Sequence, residues 1–421
     1  MELSNRVQNL AASATFAMMQ KAAEMKEQGI DVISLSVGEP DFNTPDFVKA
    51  AAVQAIADNW SKYSPVPGYP ELKRAVCRKL KVENDLDYSE SQILISNGAK
   101  QSICNVLMAL VNAGDEALIP APYWVSYPQM VLLAEGTPVF IDAPMEQDFK
   151  ITPAQLEAAI SPRTKALILC SPSNPTGAVY SKEELRGLKD VLLRHPEVIV
   201  ISDEIYEHLN YIGSHESIAQ FDDLRDRVVV VNGVSKAYAM TGWRIGYIAG
   251  PEWIVKGCNK LQGQYTSGAC SVSQMAALAA YEGDQSCVEQ MRQAFQRRRD
   301  LIVRLLREVP GFEVNEPQGA FYVFPKCDKL FGKCYGAAAA ACGGLGAGEG
   351  LAAADCSRAE AGTVIRTASD FAMFLLEQAH VATVGGDSFG APACIRLSYA
   401  TSESQITEAC RRIKLAVESL G

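Results

Sequence analysis

Between about residues 93 and 250 the chain alternates short apolar runs with stretches of helical period. Ile93 to Ser96 reads as a strand, Asn97-Gly98-Ala99 as a turn and Lys100 to Val111 as a helix. Ala117 to Ile119, Pro138 to Ile141, Lys165 to Leu169, Val198 to Ser202 and the β-branched run Val228 to Val231 read as further strands, with a short apolar run at Ile245 to Ala249. Ser181 to His195 has helical period, and Ser181 with Glu184 makes a capping box at its start. Strand–helix alternation of this kind predicts an α/β domain built on a mostly parallel sheet with helices on both faces. Past residue 295 the pattern changes to helices (Gln296 to Glu308, Ser402 to Leu420) mixed with short strands (Phe321 to Phe324, Ile395 to Ser398). The expectation is a large domain over 45–294, a smaller α+β domain over 295–421 and an N-terminal segment, 1–44, too short to fold alone that packs with the small domain. Residues 333–362 break the pattern, and the stretch Gly336 to Asp355 within them is mostly Ala and Gly. They offer little side-chain area to offset ordering entropy, and read as a surface insertion.

Charge and composition narrow the classes. A net charge of -10 argues against a nucleic-acid surface. The one basic run, Arg297-Arg298-Arg299, is followed by Asp300 and reads as a solvated helix face. No apolar run has the length of a membrane span. The N-terminus lacks the apolar core of a secretory signal, which points to the cytoplasm. The 12 cysteines include no Cys-x-x-Cys pair and the 4 histidines share no ligand spacing, so no metal site is expected and the thiols read as buried and reduced.

The chemistry gathers around Lys236. It follows Val228 to Val231 after a few small and polar residues. A lysine at the end of a buried strand can lose its proton and condense with an aldehyde. Ser235 and Arg244 flank it with a hydroxyl and a guanidinium suited to a phosphate. An aldehyde and a phosphate on one small molecule describe pyridoxal phosphate. Other polar motifs also follow strands. Asn174, in the rigid loop Ser171 to Gly177, offers both donor and acceptor. Asp203, in Ser202-Asp203-Glu204-Ile205-Tyr206, can keep a ring nitrogen protonated, and Tyr206 can reach a phenolate oxygen. Gly98 and Ala99 open a helix whose first N–H groups and dipole suit an anion. Each motif has an ordinary reading as a turn, cap or ion pair. Their joint occurrence at strand ends does not.

From Leu3 to Leu420, apart from the Ala/Gly segment, the chain resembles the class I/II aminotransferases of pyridoxal phosphate fold type I, in the bacterial aspartate aminotransferase branch that includes aspartate/prephenate aminotransferases. The motifs are Ser-Val-Gly-Glu-Pro-Asp-Phe at 36–42, Tyr-Ser-Pro-Val-Pro-Gly-Tyr-Pro-Glu-Leu at 63–72, Pro-Tyr-Trp-Val-Ser-Tyr at 122–127, Asn-Pro-Thr-Gly at 174–177, Ser-Asp-Glu-Ile-Tyr at 202–206, Ser-Lys-Ala-Tyr-Ala-Met-Thr-Gly-Trp-Arg-Ile-Gly at 235–246 and Arg-Leu-Ser-Tyr-Ala at 396–400. The resemblance implies a seven-stranded, mostly parallel sheet and pyridoxal 5'-phosphate as cofactor. It implies that Lys236 forms the Schiff base and carries the proton, and that Asp203 pairs with the ring nitrogen. Tyr206 and Asn174 would meet the ring oxygen, Trp124 would stack on the ring, and Ser235, Arg244, Gly98 and Ala99 would hold the phosphate. Tyr63 would reach the phosphate of a neighbouring subunit, implying a homodimer with shared active sites. Arg396, helped by the Gly38 N–H and Asn174, would take the substrate α-carboxylate. Lys100, beside the cofactor, with Ser13 or Thr15, would meet the distal carboxylate of an acidic substrate.

The resemblance departs at one loop. The family pattern Val-x-Pro-Gly-x-x-Phe-Gly becomes Val-Gly-Gly-Asp-Ser-Phe-Gly at 384–390, with Gly385 in place of proline, and a looser loop is expected. The implied reaction transfers the amino group of L-aspartate to 2-oxoglutarate. Prephenate, aromatic amino acids or alanine are the alternative amino partners. A non-catalytic, cofactor-binding regulator is a remote reading, because such proteins carry an added DNA-binding domain.

Overall fold

The computed structural model describes residues 2–336 and 363–420. Residues 337–362 of the Ala/Gly-rich segment lie outside them. The chain forms two compact units. The first is Gly38–Arg297 with the N-terminal residues up to Ser13 and with Pro317–Tyr322; the second comprises Ala14–Val37, Arg298–Glu316 and the described part of Val323–Gly421.

The large unit is built on seven strands: β1 (Ile93–Ser96), β2 (Glu116–Ala121), β3 (Thr137–Asp142), β4 (Thr164–Cys170), β5 (Ile199–Asp203), β6 (Val228–Gly233) and β7 (Gly246–Ala249). Their order across the sheet is β1-β7-β6-β5-β4-β2-β3. The pairs among β2 to β6 are parallel, and β7 is antiparallel to both its neighbours, β1 and β6. Successive side chains of β6 point to opposite faces. Val228 and Val230 enter one buried cluster with Leu185, Leu188 and Val191 of the helix Lys182–Leu192. Val229 and Val231 enter another with Ile103, Val106 and Leu107 of the helix Ala99–Leu110. Burial on both faces is why this strand is apolar without alternation. Each fully buried aliphatic side chain there stabilises the unit by roughly 1.5–3 kcal/mol. Ser181 caps its helix as expected, accepting from the Glu184 N–H while Glu184 accepts from the Ser181 N–H at 2.8 Å.

The units interleave more than the spans 1–44, 45–294 and 295–421. The first residues lie with the large unit, where the Ala11 N–H donates to Gln129 Oε1 at 2.8 Å. Pro317–Tyr322 lies there too: the Gln318 and Gly319 N–H groups both donate to the Gly177 carbonyl at 2.9 Å. In the small unit, Ile33–Ser34 pairs in parallel with Val381–Ala382. Met18, Ala22, Val32, Ala372, Leu376 and Ala382 form a core there. Val384–Gly385 runs antiparallel to Ile395–Ser398, and Cys334–Tyr335 to Thr363–Val364. The helix expected at Gln296 begins earlier, at Ser286, and Arg299 within it is buried and not on a solvated face. Of the ten described cysteines, Cys258, Cys327, Cys334, Cys394 and Cys410 are buried, whereas Cys270 is exposed. Among the described residues no helix is long and apolar enough to cross a membrane.

Candidate active site

Because β1 to β6 run the same way, the segments after them emerge at one edge of the sheet. Asn97 and Gly98 follow β1, Trp124 follows β2, Asn174 follows β4, Asp203 ends β5, and Ser235 and Lys236 follow β6. Arg244 reaches the same edge by the opposite route, since it precedes the antiparallel β7. Gly246 starts β7 opposite Ser96 on one side and Gly233 on the other, which sets Arg244 between the turn after β1 and the loop after β6.

The phosphate-suited part is tightly packed. Gly98 has φ +83° and ψ 161°, a conformation that glycine alone adopts readily, and a Cβ there would overlap the Arg244 guanidinium. A Cβ on Gly246 would overlap the Gly98–Ala99 peptide. Arg244 is itself left-handed (φ 58°) and donates to the Thr241 carbonyl at 2.8 Å and the Asn97 carbonyl at 3.2 Å. The helix Ala99–Leu110, starting one residue earlier than the pattern suggested, turns its first N–H groups to the same corner. A guanidinium, the buried Ser235 hydroxyl and helix N–H groups are the donor set a dianionic phosphate needs.

Asp203 is buried and accepts from the Tyr127 hydroxyl at 2.6 Å and the Ile205 N–H at 3.2 Å. Burial pushes its carboxyl up to about 6, against the pull of those two donors. Tyr127 is pushed well above the usual phenol range by burial and by the Asp203 carboxylate, so it remains a donor. A buried carboxylate that costs energy to ionise alone is matched by a cationic ring N–H. Lys236 Nζ donates to the Gly38 carbonyl at 2.6 Å and lies 5.6 Å from the Tyr206 ring centroid and 5.8 Å from that of Phe321. Tyr206 and Tyr322 share a hydrogen bond of 2.8 Å between hydroxyls. Lys100 Nζ stands 4.9 Å over the Trp124 ring, and burial, then the Arg244 charge, lowers its pKa. Asn174 is buried in the loop after β4, where Ser171-Pro172 and Asn174-Pro175 are cis. These residues fit pyridoxal phosphate edge by edge.

Tyr63 is 99% exposed. Ser13 lies in the large unit, whereas Thr15 belongs to the helix Ala14–Glu27 of the small one. In the small unit Arg396 is buried, donates to the Ser36 carbonyl at 2.6 Å and stacks 4.9 Å from the Phe389 ring centroid. Gly385 corrects the looser-loop expectation. It is buried, and a Cβ would press on the Ser369 N–H and hydroxyl, both of which donate to Asp387, at 2.8 and 2.7 Å. Its φ of -62° suits proline as well, so the close approach of Ser369 excludes a side chain there. Tyr127 and Tyr322 escaped the sequence reading. Tyr127 closes a motif already quoted, three residues after Trp124, but Tyr322 sits in an apolar run that reads as plain core.

A cavity of about 750 Å³ lies elsewhere in the large unit, lined by Glu207, His208, His215 and Arg292 among others. Two groups of ligand type border it, Glu83-Glu207-His208 and Glu204-Glu207-His215. Their atoms are already engaged: Glu207 pairs with buried Lys79 and accepts from Asn84 at 2.6 Å, and His215 and His208 meet Glu204 and Glu83 at 2.9 Å each. Burial opposes ionisation of Glu207, but Lys79 and then His208 hold its carboxyl well below the usual range. This is an internal ion-pair network.

Residues 30–413 match the family described as aminotransferase class I and II. The chain is 47% identical over 420 residues to a probable aspartate/prephenate aminotransferase of Rickettsia bellii, covering 99% of each. It is 45% identical to an aspartate aminotransferase of Geobacillus stearothermophilus, covering 100% of each. Among solved structures, the aspartate aminotransferase of Rhizobium meliloti matches with a TM-score of 0.91 at 42% identity over 100% of both chains. That of Thermus thermophilus, determined with maleate, matches with a TM-score of 0.88 at 38% identity over 99% of this chain and 100% of that one. The mixed seven-stranded sheet flanked by helices is the fold of these enzymes.

Proposed function

The chain belongs to the class I and II aminotransferases, and from that membership we propose that it moves the amino group of L-aspartate to 2-oxoglutarate, giving oxaloacetate and L-glutamate, with pyridoxal phosphate as cofactor. The observation that carries the reading is the convergence, at one sheet edge, of a strand-end lysine, a buried carboxylate and a guanidinium–amide corner. When bound, the cofactor supplies an electron sink that lets a proton leave the substrate Cα. Asp203 would keep the ring nitrogen protonated, Tyr206 and Asn174 would orient the ring oxygen, and Trp124 would cover a ring face. Gly98, Ala99, Ser235 and Arg244 would anchor the phosphate. Lys236 Nζ would take the Cα proton and return it at the cofactor's reactive carbon. Arg396, with Gly38 and Asn174, is our choice for the α-carboxylate, and Lys100, with Ser13 or Thr15, for the distal one.

The acidic substrate is supported by the cationic group at Lys100 and by the dicarboxylate named with the Thermus structure. Prephenate is the second reading, because that amino acceptor is named with aspartate for the relatives. We place the protein in the cytoplasm as a homodimer, and exposed Tyr63 supports the dimer, in which it would complete a neighbouring site. Purified, cofactor-loaded protein assayed with aspartate, glutamate, phenylalanine and prephenate tests the assignment. Turnover of aspartate is expected, and its absence would sink it. Lys236→Ala should abolish both turnover and the visible absorbance of the lysine-bound cofactor. Lys100→Ala should lower kcat/KM for aspartate by about tenfold or more, in line with loss of one charge-assisted contact, and leave phenylalanine unchanged.

A further inference from the structure

We infer that Tyr322 is a positioning residue whose hydroxyl directs the Tyr206 proton, and through it sets how readily the cofactor's ring oxygen holds negative charge; the inference rests on the pyridoxal phosphate reading above. The two phenol oxygens are 2.8 Å apart and both residues are buried, at 4% and 1% exposure for Tyr206 and Tyr322. A phenol has one proton and accepts through its lone pairs, so only one of the pair donates along this bond. The rings are clamped. They meet edge to face at 5.8 Å and 78°, and Phe321 packs edge-on to Tyr206 at 5.5 Å and 85°. The Tyr322 hydroxyl also packs against Gly38, where a Cβ would overlap it. The carbonyl of that same Gly38 receives Lys236 Nζ. Tyr322 therefore touches Tyr206 directly and borders the glycine whose carbonyl receives Lys236, without any need to touch the cofactor itself.

The direction of the bond decides its effect. When Tyr322 donates, the Tyr206 proton is released toward the ring oxygen, and an accepting phenol is a stronger donor in turn. The ring oxygen then carries charge more easily, and the proton it shares with the Lys236 nitrogen leaves at lower pH. Tyr206 is the group that benefits from donating to an anion, so Tyr322 takes the donor role.

The test is a pH titration of the visible absorbance of cofactor-loaded protein without substrate, which reads the linkage and not turnover. Tyr322→Phe should raise the midpoint by about half a unit to one unit, the scale of one neutral hydrogen bond acting through another. Tyr206→Phe should raise it further, and the double variant should match Tyr206→Phe alone. Thermal melting of each variant checks that the fold is kept. A midpoint unchanged or lowered in Tyr322→Phe, or an additive double variant, overturns the role of Tyr322 while leaving the cofactor assignment standing. A wild-type protein with no titrating visible band overturns both.

Discussion

In the large unit the proposed cofactor residues lie at or soon after the ends of buried strands: Gly98 after β1, Asn174 after β4, Asp203 at the end of β5 and Ser235 after β6. In the small unit Arg396 lies inside a strand, paired with Val384, and it donates to the Ser36 carbonyl, 360 residues away. The first arrangement places a group by where a strand stops, which is a local property of the chain. The second places a group by what the strand packs against. A parallel sheet tolerates variable polar loops at its carboxyl edge because the strands beneath are buried on both faces. A buried guanidinium on a strand this short needs every neighbour fixed, down to the bare Cα of Gly385 against Ser369.

Three changes would break or sharpen this contrast. The largest effect is expected from Arg396→Lys. Losing the proposed bidentate recognition of the α-carboxylate should lower kcat/KM for aspartate about 100-fold, matching about 3 kcal/mol for a charge-assisted pair. Cofactor absorbance and affinity should stay as in the wild type, and a parallel loss of cofactor would overturn the substrate role proposed for Arg396.

Next is Asp203→Asn in cofactor-free protein. The folded carboxyl titrates near 6, above the value of about 3.9 for an unfolded aspartate. A raised carboxyl pKa means the folded state holds the proton longer, so stability is lost as pH rises from about 4 through about 6, and the full penalty persists above that. The variant should therefore be more stable than the wild type by up to about 3 kcal/mol at pH 8, with the difference gone by pH 4. Urea midpoints at pH 4, 6 and 8 measure it. A gain that does not grow with pH would show that Asp203 is not held against its own ionisation.

The smallest effect is Ser181→Ala, at a helix start away from the proposed cofactor residues. Loss of the capping box should cost about 1 kcal/mol in urea unfolding with kinetics unchanged.

Much of the large unit was legible beforehand. Val228 to Val231 announced a buried strand, and Ser181 with Glu184 announced a helix start, because both signals are contained in a few adjacent residues. Lys236, Asp203, Asn174 and Gly98 stand out as candidates for the same reason: each punctuates such a strand. The bond from Tyr127 to Asp203 spans 76 residues and that from Tyr206 to Tyr322 spans 116, so no window of sequence holds either. Arg299 looked solvated in a basic run, yet it is buried on its helix, since a run of like residues says nothing about which one turns inward. Gly385 looked like slack for want of a proline, when what mattered was a neighbour 16 positions earlier, at Ser369.

By itself, the sequence determined the alternation of strands and helices, the family and the candidates for holding the proposed cofactor, because propensity, capping and strand-end motifs act over short stretches. The tertiary structure alone decided the antiparallel insertion of β7 between β1 and β6, which brings Arg244 to the edge where the Gly98 turn emerges. It alone decided which phenols share hydrogen bonds, and the raised pKa of Asp203. Strand order, burial and the approach of distant side chains depend on how elements pack, and packing is a property of contacts between segments that no single segment contains.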